Sequence, residues 1–149
     1  MKTLFRTLTL LAVFGVALCV TPAASAADTA RVQATLILGS NDGGGVDPQL
    51  RQYERNLQRV LGFDTFRQQG SGTAQVSLPG SGSISIGGGH RVAVTAESAA
   101  DGKLRVAARW TQGDRTYVNT TVVTGLGQPT VLVGPAAGSG KLILLIVAR

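Results

Sequence analysis

The sequence predicts a mainly β protein: an antiparallel β-sandwich or partly open barrel of about seven or eight strands, with one short α-helix after the first strand. Three observations carry this. Apolar and polar residues alternate with period two through most of the chain beyond residue 30, which is the pattern of strands with one buried face. Turn signals recur between these runs at the spacing of antiparallel sandwiches and barrels. One early stretch, DPQLRQYERNLQRVLGF, switches to helical spacing.

The first strand is RVQATLIL, Arg31 to Leu38. Val32, Ala34, Leu36 and Leu38 face one side, and Arg31, Gln33 and Thr35 the other. The loop SNDGGGV turns the chain off this strand and reads as a connector. As a metal loop it lacks alternating oxygen ligands and a closing bidentate Glu. As a phosphate loop it lacks a lysine at the required spacing. Asp47 is placed to cap the helix N-terminus, Pro48 suits the first helical position, and Gly62 suits a left-handed stop. Leu50, Tyr53, Leu57, Val60 and Leu61 form the apolar stripe.

Gln68 to Gly72 reads as a turn, followed by a strand over Thr73–Leu78, a break at Pro79 to Gly82 and a short strand over Ser83–Ile86. Gly87-Gly88-Gly89 turns the chain into a strand with Val92, Val94 and Ala96 inward. Asp101-Gly102 is a strong hairpin signal. Beyond it Leu104, Val106, Ala108 and Trp110 alternate with Lys103, Arg105, Ala107 and Arg109, giving one buried and one cationic face. After a turn at Gly113-Asp114 come a Val/Thr-rich strand, Tyr117 to Thr124, a turn at Gly125 to Pro129 and a short strand at Val131–Val133. Gly134 to Gly140 reads as a loop. Leu142 to Ala148, LILLIVA, is apolar at nearly every position and suits a central strand covered on both faces.

The N-terminus predicts export. Lys2 and Arg6 precede an uncharged apolar run, Leu8 to Val20, and Ala24-Ser25-Ala26 fits a leader cleavage site before Ala27. The expected organisation is a secretory signal peptide, residues 1–26, and a single β-rich domain, residues 27–149. The alternative is a leader retained as an N-terminal anchor; the apolar run is short of the roughly 20 residues that span a bilayer. No transmembrane segment is expected in the mature chain. Cys19 is the single cysteine and leaves with the leader, so neither disulfides nor thiolate metal ligands are expected. Removing Lys2 and Arg6 lowers the formal net charge of +6 by two. The mature chain stays mildly basic, which favours solubility or contact with an anionic surface. Nucleic acid is not an expected partner for an exported protein.

Catalytic motifs are weak. GPAAGSGKL, Gly134 to Leu142, differs from a P-loop in its glycine spacing, in Leu142 where a Ser or Thr would hold magnesium, and in the strand-like run that follows. Ser83 or Ser85, His90 and Asp101 would make a triad on paper, but no nucleophile elbow frames either serine. His90, the single histidine, reads as a surface residue at a strand start and cannot alone make a zinc site. The carboxylates read as turn and cap residues, with no spacing that implies a glycosidase pair. Asn119-Thr120-Thr121 fits the glycosylation pattern. No catalytic residue, metal or cofactor is assigned. The remaining candidate is cationic: Arg51, Arg55 and Arg59 recur every four residues on the helix, joined in part by Arg105 and Arg109 on a strand. These five are the expected contacts for an anion or a partner, against the simpler reading of a solvated face.

The order of parts, from TLILGSNDGGGVDPQL through LQRVLGFDTF to GQPTVLVGP and GKLILLIVAR, resembles small, uncharacterised exported β-rich proteins of Gram-negative bacteria. That resemblance implies a periplasmic or cell-envelope location and transfers no site residue. The closing pair of strands alone is similar to the C-terminal hairpin of the secretin core. The functional expectation is a non-enzymatic envelope accessory or binding protein, whose partner is another envelope protein or an anionic surface. The alternative is a component of a secretion or pilus machine assembling through a sheet edge, with Leu142 to Ala148 as the recruiting segment. A hydrolase with an unrecognised site is the lesser alternative.

Overall fold

The computed structural model describes residues 28–149; the expected signal peptide, residues 1–26, lies outside them. Eight strands build two four-stranded antiparallel sheets. β1 (Thr29–Ser40), β2 (Thr65–Ser77), β7 (Pro129–Ala137) and β8 (Gly140–Ala148) form one sheet in the order β2-β1-β8-β7. β3 (Gly80–Gly87), β4 (His90–Ser98), β5 (Leu104–Gln112) and β6 (Arg115–Thr124) form the other as a meander in sequence order. The sandwich is open rather than a closed barrel, and the one α-helix among the described residues, α1 (Glu54–Leu61), follows the first strand.

The inward faces follow the predicted alternation. Val32, Ala34, Leu36, Val92, Val94, Val106, Ala108 and Trp110 share one core with Leu144 and Ile146. The opposite face of the first sheet carries a second, smaller core. There Ile37, Phe66, Ile143, Leu145 and Val147 are roofed by Leu50 and Leu57. This roof explains why β8 is apolar throughout: alternate residues enter different cores. It also buries Ile37 on the face that Arg31 and Gln33 begin.

The helical region divides into a 3₁₀ turn, Pro48–Tyr53, and α1. Gly62 ends α1 at φ 68° as expected. Asp47 does not cap with its side chain. Its carboxylate crosses to β2, accepting from the Gln68 amide at 2.8 Å and lying 3.7 Å from Arg67. Val60, at the margin of the stripe, stays 58 % exposed. The connector is stitched to the start of β2: Asp47 N–H donates to the Phe66 carbonyl, Phe66 N–H to that of Gly45, and Asp64 N–H to Asn41 Oδ1.

Several breaks expected from glycine are continuous strand. Gln68 to Gly72 lies inside β2, bulged where Leu36 and Ile37 pair with Gly70 and Gln68. Gly70 and Gly72 face inward because β2 passes against the backbone of β3, and a Cβ on either would collide with a β3 carbonyl. β3 begins at Gly80, and β7 extends to Ala137, with the turn confined to Gly138 and Ser139. Gly134 stays in the strand because the Trp110 ring packs on its Cα, leaving no space for a side chain.

Candidate functional site

Arg51 and Tyr53 come from the 3₁₀ turn, and Arg55, Asn56 and Arg59 from α1. Leu50 and Leu57 anchor this segment on the first sheet, so the intervening polar residues stand at its margin. Beside them run the Gly127 turn and the start of β7. Between the two lies an open cleft of about 540 Å³, and its far wall carries Arg149. Arg149 is held by the sheet: its amide donates to the Arg31 carbonyl at 2.8 Å, and the Arg31 amide returns the bond at 2.7 Å. Its guanidinium reaches the Tyr53 hydroxyl at 3.5 Å.

Four guanidiniums therefore line one cleft. Among the described residues the ion pairs are Arg67–Asp47 and Arg105–Glu97, and neither involves a cleft arginine. Glu54, the acid nearest in sequence, accepts from Gln58 Nε2 instead. Glu54 does share a neighbouring hollow with Arg51 and Arg55, but four like charges against one acid outside ion-pair distance still raise the local potential and concentrate anions. Each guanidinium is also a planar fork suited to carboxylate or phosphate oxygens. Asn56 and Tyr53 add neutral hydrogen-bonding groups.

The five predicted arginines are not one surface. Arg51, Arg55 and Arg59 come together. Arg105 and Arg109 alternate with inward Val106, Ala108 and Trp110, so they lie on the outer face of the second sheet, across the sandwich. Stacked sheets alone are about 10 Å apart. Arg105 is also neutralised by Glu97 at 2.7 Å. Arg149 is the member that sequence reasoning missed. It lies 96 residues from Tyr53, and only the pairing of β1 with the chain terminus places it there. The strand assignment was the available signal, because a residue following a central strand ends beside its neighbours.

His90 is buried, not on the surface. Its Nδ1 accepts from Trp110 Nε1 at 3.1 Å, so the neutral imidazole carries its proton on Nε2. Tyr117 packs on both rings. Burial holds the imidazole below its ordinary value of 6.5. The paper triad does not assemble. His90 begins β4, whereas Asp101 follows its far end, roughly 25–30 Å away at the usual strand rise. Ser83 and Ser85 are exposed. Among the described residues no group of three or more His, Cys, Asp or Glu is placed to hold a metal ion, and no helix is long and apolar enough to cross a membrane.

The chain matches no family model, and no curated protein or solved structure is significantly similar to it.

Proposed function

We propose that this is a non-enzymatic binding protein of the Gram-negative cell envelope, exported by its leader, whose cationic cleft takes an anionic group of an envelope component. The observation that carries the reading is the convergence of Arg51, Arg55, Arg59 and Arg149 on one cleft without an acidic neighbour in ion-pair reach. Such a site needs no moving parts. The sheet fixes Arg149, and the two apolar anchors fix the helix.

The test is retention on anionic liposomes across a salt series, comparing the parent with a variant carrying Arg51→Gln, Arg55→Gln and Arg59→Gln. The parent is expected to bind at low salt and release as salt screens the charges; the variant is expected to bind little at any salt. Equal, salt-insensitive retention of the two sinks the reading. Arg105→Gln with Arg109→Gln, on the other sheet, is expected to leave retention unchanged.

A second reading, assembly within a secretion or pilus machine, is favoured by a different feature. β8 is not its edge, because β8 pairs with β1 and β7 on its two sides. The free edges next to each other are β6 and β7, and they expose Val123 (55 %) and Val133 (46 %). An uncovered edge with apolar side chains is a template for strand addition. Light scattering that stays monomeric at every concentration, with slow amide exchange along β6 and β7 already in the monomer, counts against it.

A further inference from the structure

The cleft has an apolar neighbour. The turn from β6 to β7 places Gly127 in the cationic cleft and Leu126 in a second hollow of about 290 Å³ at the end of the sandwich. Leu78, Ala30 and Leu104 line this hollow with Leu126, and Arg149 lines both hollows. Ala30 and Leu104 are buried, being the last inward residues of opposing sheets, so the slot is the open end of the main core. Leu126 is 59 % exposed at a turn tip, a position that local backbone geometry does not reserve for leucine. Among the described residues at its rim, Asp28 and Lys103 have opposite signs, and Arg149 adds a further guanidinium.

We propose that the two hollows take one ligand, an anionic amphiphile: its head group among Arg51, Arg55, Arg59 and Arg149, its alkyl chain turned past Arg149 into the slot beneath Leu126. This rests on the anion-binding reading above and adds the chain. Charge complementarity selects the head, and the slot rewards the chain for leaving water. An anion without a chain fills only the cleft, and a neutral amphiphile gains only the slot.

The test is a calorimetric series of methyl, butyl, hexyl and octyl phosphate, all held below micelle formation, with octyl glucoside as the neutral member. Affinity is expected to rise about fourfold for each methylene the slot takes up, so a slot that holds roughly three or four of the added methylenes gives on the order of a hundredfold across the series. Leu126→Ser, at an exposed position, is expected to lose much of that gain and leave methyl phosphate binding unchanged. Arg55→Gln with Arg59→Gln is expected to weaken every phosphate by a similar factor. Unfolding midpoints near the parent's show that both variants fold. If methyl phosphate binds through the arginines but chain length adds nothing, the amphiphile proposal falls and the anion reading stands. If no phosphate binds, both fall. If the chain-length gain survives Leu126→Ser, or if octyl glucoside binds as well as octyl phosphate, the chain does not use this slot beside a charged head and the proposal is overturned.

Discussion

Gly72→Ala separates two accounts of the segment Gln68 to Gly72. In a surface turn with ordinary φ, alanine is neutral or stabilises by about 0.4–1 kcal/mol, because it restricts the unfolded chain. In the observed strand the added Cβ stands 2.5 Å from the Ser85 carbonyl oxygen and 2.6 Å from Ile84 Cγ2. Both must open to at least 3.0 Å, since real Cβ atoms essentially never come closer. The carbonyl is backbone, so β2 and β3 have to move apart and loosen the packing of Ile84 and Ile86. Overpacking of this kind costs about 1–3 kcal/mol, partly offset by the entropic gain. A net loss of about 1.3 kcal/mol is expected from the midpoints of those two ranges. With a urea slope of roughly 2 kcal/mol/M the midpoint falls by about 0.6 M. The assay is built in, because Trp110 is the single tryptophan and is fully buried, so its emission reports unfolding. Gly125→Ala is the control, since its new Cβ meets only the flexible Gln128 side chain, and it is expected to stay within about 1 kcal/mol of the parent. A Gly72→Ala midpoint at or above the parent's refutes the close approach of the two strands.

Two further outcomes follow from single side chains. Between pH 7 and 5 the protein is expected to lose stability, because the folded state resists protonating His90 while the unfolded chain binds that proton as pH falls below 6.5; the groups packed on the imidazole, Trp110 and Tyr117, offer no compensating negative charge. His90→Gln is expected to flatten the curve in that window, and an unchanged slope would show that His90 does not contribute. Asp47→Ala is expected to cost about 1–3 kcal/mol by orphaning the Gln68 amide. Exchange at the Gln68 amide should quicken while the Leu50 amide, which donates to the Asp47 backbone carbonyl, stays protected; the reverse pattern would restore Asp47 as a side-chain helix cap.

Period-two alternation was enough to read the sandwich because most strands have one wet face. Val92 to Ala96 and Leu104 to Trp110 announce their buried faces directly. Glycine was the misleading signal. At Gly62, Gly88 and Gly113 it supplies positive φ and marks a stop or turn. At Gly70, Gly72 and Gly134 it provides room for a neighbouring carbonyl or for Trp110, inside continuous strands. Composition does not distinguish these uses, since the obstruction comes from elements distant in sequence. His90 was misread for the same reason: its partner, Trp110, lies on the adjacent strand, and three exposed glycines before it suggested a surface position.

The site was legible only in its local part. Arg51, Arg55 and Arg59 share a spacing that any helical reading finds, whereas Arg105 and Arg109 show the same alternation on a different sheet and belong to a different face. What turns a charged stripe into a cleft is topology. β1 and β8 pair at the centre of one sheet, so Arg149 emerges beside the strand that leads into the helical segment. β6 crosses between sheets to β7, so its turn closes the cleft on one side and the apolar slot on the other. The glycines of β2 draw the sheets together along one side, while β6 and β7 remain unpaired edges. A flat cationic helix would attract any polyanion without preference for shape. If the proposed amphiphile is the ligand, a cleft with one arginine fixed by strand pairing and a leucine across the turn discriminates by the chain that ligand carries, and selectivity across chain length, rather than bare anion affinity, is the measurement that decides.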